Sequence, residues 1–373
     1  MTFLAGTCIL VMGIYSLTIF FLALGLLSIP RHQVPLKKGG TKVSVLVPFR
    51  NELGVLPALI QDLKAQRYPS SDFEVILVND HSTDDSPQMV KEGIAGLEHF
   101  RCLDLPPEKS GKKAALEWGV DAAKHQWILQ TDADGRLGKD FLSAHVTARM
   151  EGQADLVAGW VIPQQAGSSF LSSFEALDVM ALAGTGAASF AWGRPLMCSG
   201  ANLAYSKDLY QETRVLDPAG KVASGDDMFL MIAARKRKKK MVFLPSIEAM
   251  VHTRGVDDWK EWFWQRVRWG GKAVYYSMAD IQATAFLVVL AALCTLALPF
   301  LMLAHPALWH WLAGIMALKM LVDFLLLYLV TTCTNRRHSL RHFLPAWLVY
   351  QPFLLLSAIA SLLLKPNWEG RVR

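Results

Sequence analysis

Asp132-Ala133-Asp134 sets two carboxylates either side of one small residue, directly after the apolar run Trp127-Ile128-Leu129-Gln130. Carboxylates this close repel unless a cation lies between them. Hard oxygen ligands suit Mg²⁺ or Mn²⁺, bridging to phosphates; a solvated turn carrying Gly135 is the plainer alternative. Lys112, preceded by Ser110-Gly111, stands at a helix start, where the helix dipole also favours phosphate. A surface lysine beside Lys113 is its plainer reading. Taken together, carboxylates, cation and lysine fit a diphosphate. A second acidic pair, Asp226-Asp227, follows Gly225 and opens the apolar stretch Met228-Phe229-Leu230. N-capping accounts for one of these acids. The other is left for a general base that takes a proton from an acceptor hydroxyl.

The segment Asp257–Tyr276 holds Trp259, Trp262, Phe263, Trp264 and Trp269 just before an apolar stretch. At about 100° per residue, Trp262, Gln265, Arg268 and Trp269 share one arc of a helix. Trp259, Phe263, Val267 and Val274 fall opposite. The expectation is a helix in the membrane interface, the second group toward lipid and the first toward an active site. Arg268 is placed to hold a leaving diphosphate. Arg235–Lys240 is six basic residues in a row. It reads as a solvated helix end or as an attraction to anionic lipid; nucleic acid is excluded as a partner because no nucleic-acid module is present.

These residues need elements to position them. Val43–Val47, ended by Pro48, Phe73–Val78 and Trp127–Gln130 read as strands, and Leu56–Gln66 and Gly111–Lys124 as helices. That rhythm predicts a parallel sheet with crossover helices, which binds ligands beyond the carboxyl ends of its strands. The polar clusters Arg50-Asn51-Glu52, Asn79-Asp80 and Thr131–Asp134 fall at such ends. No GxGxxG follows the first strand, which argues against a dinucleotide site.

Charged residues are only 19% of the 373, against 52% hydrophobic, with a net charge of +6. A disordered chain is excluded. The deficit lies in Phe3–Ile29, Ala283–Ala304, Ala307–Thr334 and Phe343–Leu364, each long enough to cross a bilayer, which takes roughly 20 residues. The first reads as a retained anchor. Lys319 and Asp323, four apart in the third, read as a neutralised pair facing other helices or as a polar lining for a lipid head group or sugar. Arg31, Lys37 and Lys38 place the following domain in the cytoplasm, and Arg336, Arg337 and Arg341 return there. Lys365, Arg371 and Arg373 run against that bias, and Pro345 and Pro352 leave a re-entrant path open. Five cysteines without a CxxC pair fit a reducing compartment.

The chain resembles membrane-anchored family 2 glycosyltransferases over nearly its full length. The resemblance rests on Val47–Glu52; Val78-Asn79-Asp80 with Ser82-Thr83-Asp84; Gly111-Lys112 with Ala115-Leu116; Asp132-Ala133-Asp134; Cys198–Asn202; Gly225-Asp226-Asp227; and Gln265–Trp269, which is similar to the QxxRW signature of polysaccharide synthases and some glycolipid glycosyltransferases. It implies an α/β GT-A, Rossmann-like nucleotide-sugar-binding domain with one N-terminal and about three C-terminal transmembrane helices. The implied division is an anchor at 1–30, a cytoplasmic catalytic domain at 42–256, an interfacial amphipathic helix at 257–278 and a membrane region at 279–373. Glu52 and Asp80 look like the base and ribose contacts, and Lys112 like a diphosphate contact. Asp132 and Asp134 look like the nucleotide and metal pair (Mg²⁺ or Mn²⁺). Asp227 is similar to the catalytic base, with Asp226 the fallback, and Gln265, Arg268 and Trp269 look like the motif that closes over diphosphate and acceptor. Asn79 departs from the family, where many members carry a second Asp. The implied activity is inverting transfer of a sugar from a UDP-linked donor to a lipid acceptor at the cytoplasmic face of a bacterial inner membrane. A processive polysaccharide synthase acting on a glycan and a non-catalytic nucleotide-sugar scaffold are the alternatives.

Overall fold

The computed structural model describes residues 2–29, 36, 39–164, 169–214, 226–273 and 275–364. Arg31, Lys37, Lys38, Gly225, Val274, Lys365, Arg371 and Arg373 therefore lie outside the described residues. The chain divides into two compact units. One comprises Ile29–Gln164 and Ser189–Arg254; the other comprises Met1–Ser28, Gln165–Ala188 and Gly255–Arg373. The strands are β1 Val43–Phe49, β2 Phe73–Asn79, β3 Phe100–Asp104, β4 Trp127–Gln130, β5 Leu156–Gly159, β6 Val161–Pro163, β7 Leu203–Ser206, β8 Met241–Leu244 and β9 Val251–Thr253. The helices are α1 Thr2–Ser28, α2 Leu56–Lys64, α3 Ser86–Gly93, α4 Lys112–Ala122, α5 Phe141–Gly152, α6 Phe170–Ala191, α7 Lys207–Arg214, α8 Asp226–Lys236, α9 Trp259–Ala273, α10 Ala279–Ala304, α11 Trp309–Cys333 and α12 Phe343–Leu363.

In the α/β unit the strands order β3-β2-β1-β4-β7-β5-β8, and β6 pairs with β9. The β3-β2-β1-β4 half is parallel, whereas β7 runs antiparallel to both β4 and β5. Strands β1, β2 and β4 are buried at every position, as continuous apolar runs covered on both faces should be. The expected end of the first strand at Pro48 is corrected: β1 continues to Phe49. Leu46 O accepts from Thr131 and Phe49 O from Asp80, so Pro48 faces the β4 side, beyond the last β4 partner at Leu46. It forfeits no ladder bond there. At the opposite end of the sheet, buried Glu74 accepts from Ser44 Oγ (2.7 Å), Lys124 N (2.6 Å) and Arg101 Nη2 (2.7 Å). One carboxylate thereby ties β1, β2, β3 and the end of α4.

In the other unit, α1, α10 and α11 with α12 supply four helices long and apolar enough to cross a membrane. Helix α12 is continuous through Pro352, so the helix itself gives no break for a re-entrant path. Ala5, Cys8 and Met12 of α1 pack against Cys294, Leu298 and Leu301 of α10 and Leu312 of α11. Lys319 and Asp323 form the neutralised pair: Lys319 Nζ lies 2.7 Å from Asp323 Oδ2, which also accepts from Trp347 Nε1 (2.8 Å), while Oδ1 accepts from Tyr15 Oη (2.7 Å). The Lys319 ammonium lies over the Tyr15 and Trp347 rings at 4.8 and 5.0 Å. Within the expected domain 42–256, Gln165–Ala188 groups with these membrane helices instead. Helix α6 is apolar, and Gly184 is packed so closely on Val330 of α11 that a Cβ would collide with its side chain.

Candidate active site

The loops after β1 and β2 lock each other. Asn51 takes the left-handed conformation (φ +55°); its N–H donates to Ser82 Oγ (3.0 Å) and its Oδ1 accepts from Thr83 N (2.7 Å). The next residue, Glu52, donates from its N–H to Ser86 Oγ at 2.9 Å. Asp80 is buried, and its Oδ2 accepts from Gly111 N at 3.0 Å. Gly111 has φ +96°, a conformation glycine adopts without strain, and the chain turns there into α4 with Lys112 as its first residue. Asn79 donates from Nδ2 to Asp104 Oδ1 (2.8 Å) and accepts from Ser82 N (3.0 Å). A carboxylate at 79 would face the Asp104 charge, which accounts physically for the amide.

Lys112 Nζ lies 2.5 Å from Asp132 Oδ1. Burial opposes its charge, but Asp132, then Asp227 and Asp226, outweigh that and hold the ammonium above its ordinary range. Asp80, Lys112, Asp132, Asp226 and Asp227 are thus linked by contact or charge, although their elements are far apart in sequence. Asp134 is pushed up by burial and by the Asp132 charge; Lys112 and the Arg254 backbone N–H partly offset this. Gly135 N closes the turn onto Asp132 O at 3.0 Å. No cluster of three or more metal-ligating side chains occurs among the described residues. Mg²⁺ and Mn²⁺ are commonly held by one or two carboxylates with phosphate oxygens and water completing the shell. The mutually repelling Asp132 and Asp134 fit that arrangement.

Asp227 lies in the first turn of α8, held on both oxygens: Oδ2 accepts from Gly200 N (2.9 Å) and Oδ1 from Met228 N (2.8 Å). The carboxylate is aimed by backbone, while each oxygen keeps a further lone pair. Gly200 is tightly packed: a Cβ would lie 2.8 Å from Gln130 Nε2 and in contact with Asp227 Cβ at 3.5 Å. Gln130 is in turn buried and accepts from Tyr205 Oη at 3.2 Å. Gln130 and the Arg254 N–H beside Asp134 are not among the expected site residues. A polar residue closing the otherwise apolar β4 was the available signal for the first; nothing in the sequence marks the second. Part of the basic run is engaged locally: Arg237 and Lys239 reach Glu212 (3.5 Å each) and Arg235 donates to Pro195 O (2.8 Å), while Lys236, Lys238 and Lys240 are exposed.

Gln265, Arg268 and Trp269 lie on α9, in the membrane-helix unit. Its expected lipid-facing side is only partly open, with Trp259 38% exposed. Val267 is buried, and Trp259 and Phe263 pack against Phe353 of α12 at 6.3 and 6.1 Å. Trp259 also meets Phe174 of α6 at 5.1 Å. Trp262 is fully buried, edge-on to Trp269 at 5.6 Å. Between Gln265 and Arg268, Arg266 lies over the Trp269 ring (5.8 Å) and pairs with buried Asp178 of α6 (3.4 Å). That pair was not anticipated.

The region that carries β1 to α7, residues 44–213, matches the model for glycosyl transferase family 2. This segment belongs to glycosyl transferase family 2. The family 2 segment is similar to beta-monoglucosyldiacylglycerol synthase of Nostoc sp., 29% identical over 134 residues (35% of this chain and 27% of the relative). It is also similar to the probable glycosyltransferase YdaM of Bacillus subtilis, 26% identical over 236 residues (61% of this chain and 54% of the relative). The chain thus matches about a quarter to a half of the length of these relatives. The mannosyltransferase PcManGT from Pyrobaculum calidifontis, solved with GDP-Man and Mn²⁺, shares the fold: TM-score 0.58 at 18% identity, covering 99% of this chain and 98% of that one. With the half-parallel sheet, this is the GT-A arrangement, accompanied by one N-terminal and three C-terminal candidate membrane helices.

Proposed function

We propose that the chain is an inverting glycosyltransferase moving a sugar from a nucleotide sugar, UDP-linked, to a membrane lipid acceptor. The observation that carries this is the contact of Lys112, at the start of α4, with Asp132, just beyond the carboxyl end of β4 and two residues before Asp134, while the Gly200 N–H aims Asp227. Glu52 and Asp80 receive the base and ribose, and Lys112 meets the diphosphate. Asp134 and Asp132 would hold Mg²⁺ or Mn²⁺, which neutralises the departing diphosphate when bound. Asp227 takes the proton from the acceptor hydroxyl as that oxygen attacks the anomeric carbon; its two backbone donors fix the carboxylate for this. Asp226 is the fallback base. Gln265, Arg268 and Trp269 contribute to diphosphate and acceptor.

The lipid acceptor is supported by four apolar helices, a modest number for a secretion channel, and by the named activity of the Nostoc relative. The helices anchor the enzyme in the inner membrane of a bacterium, with the catalytic unit on the cytoplasmic side. The test is to supply purified chain with nucleotide sugars and membrane lipid extract and to read nucleoside diphosphate and glycosylated product. A lipid bearing one or a few sugars is expected. A long polymer would overturn the lipid acceptor in favour of a polysaccharide synthase, and no turnover of any donor would favour a binding scaffold.

A further inference from the structure

The connection between α11 and α12 carries Arg336, Arg337, His338, Arg341 and His342 within seven positions, while residues 324 to 364 contain no Asp or Glu. One cation suffices to offset the negative end of the α11 dipole; a cytoplasmic bias accounts for the rest of the charge, but not for the fixed orientation of one arginine. The connection at the other end of α11, His305-Pro306-Ala307-Leu308, has no Lys or Arg. Asn335 adopts φ +55° and Arg336 N–H returns to Thr331 O at 2.7 Å, so the basic residues turn back beside the last turn of α11. There an open surface groove of about 360 Å³ is lined by Thr331, Thr332, Asn335, Arg337 and His338. A water molecule occupies about 30 Å³, so a phosphate ester has ample room.

Arg337 is oriented from two sides. Its Nε donates to Thr332 Oγ1 at 3.0 Å, and its guanidinium lies over the Tyr328 ring at 5.1 Å. The bond uses neither terminal nitrogen, and Arg337 makes no ion pair among the described residues. Further along the same face of α11, Tyr328, Phe324 and Leu321 are 39%, 38% and 62% exposed, an apolar ridge at helical spacing. A cationic, hydroxyl-lined groove beside half-exposed apolar side chains offers the two parts that an anionic lipid needs. A free phosphate would use only the first.

We propose that this connection binds the phosphate of an anionic membrane lipid, gripped by Arg337 with Thr332 and Asn335 beside it, the acyl chains lying along Tyr328, Phe324 and Leu321. The test uses the full chain in phosphatidylcholine nanodiscs titrated with a fluorescent phosphatidylglycerol. Arg337→Gln should weaken phosphatidylglycerol binding about fivefold or more, the worth of one charge near an anionic surface. Thr332→Val, which removes no charge, should weaken it about threefold, because the arginine loses its orienting acceptor. Millimolar inorganic phosphate should not displace the lipid. Wild-type affinity in both variants would overturn the site. Unchanged affinity in Thr332→Val alone would reduce it to general charge attraction, and displacement by inorganic phosphate would make it an ion site. Thermal melting in parallel identifies a variant that has lost its fold; the other variant then decides.

Discussion

Asp227 is aimed by two backbone N–H groups, one of them from Gly200, so the orientation of the proposed base depends on a residue with no side chain. Gly200→Ala must push aside the buried Gln130 amide, whose Nε2 would lie 2.8 Å from the new Cβ beside Asp227. Overpacking of this kind costs about 1–3 kcal/mol; turnover should fall about tenfold or more with donor affinity nearly kept, as initial-rate kinetics will measure. A second residue-scale prediction concerns Glu175 of α6, which accepts from Val256 N on both oxygens (3.2 Å each). Burial, helped by Glu261 and Asp178 and opposed by the Val256 N–H, pushes it up to about 7. Its folded-state pKa lies above the ordinary value near 4.5, so the folded chain binds the extra proton. The stability so gained is present below pH 4.5 and is lost as pH rises through 7. Glu175→Gln should flatten the pH dependence of the melting temperature across that window; an unchanged slope would contradict the assignment. Asp132, Asp134 and Lys112 were legible because polar residues that abruptly end an apolar strand, or open a helix, stand out. Gly200's role was not, because its steric partner Gln130 is 70 positions away and only the fold makes them neighbours.

At the scale of elements, α9 is held by the Arg266–Asp178 pair and by the Trp259, Phe263, Phe174 and Phe353 cluster. Breaking a buried pair from one side costs about 3–5 kcal/mol, while removing both partners costs much less. Asp178→Asn and Arg266→Gln should each lower the melting temperature more than the double variant does; simple additivity in that cycle would rule out the coupling. Helical periodicity divides α9 into two faces. It could not say what covers each, and the face assigned to lipid is partly packed on α6 and α12. Likewise β3 escaped notice because Phe100-Arg101-Cys102-Leu103-Asp104 is only half-buried, with no continuous apolar run to announce it. Helix α6 falls within the α/β domain by sequence order, since nothing local marks that its neighbours are the candidate membrane helices.

For the whole molecule, the low overall charge is an average over an α/β unit of ordinary composition and helices nearly devoid of charge. The exception, Lys319 with Asp323, joins α1, α11 and α12 through Tyr15 and Trp347. Asp323→Leu strands a buried ammonium and should lose about 3 kcal/mol or more of stability in detergent; adding Lys319→Met should restore much of it, and no restoration would show the pair is not a unit. Membrane anchoring predicts that alkaline carbonate leaves the chain in the membrane pellet and only detergent releases it. The most direct measurement is nucleoside-diphosphate release from a nucleotide sugar with membrane lipid extract, comparing the unaltered chain with Asp227→Asn. A loss of about 10²–10⁴ in kcat with donor binding retained is expected for removal of the general base. Near-normal release by Asp227→Asn would contradict glycosyl transfer through this site.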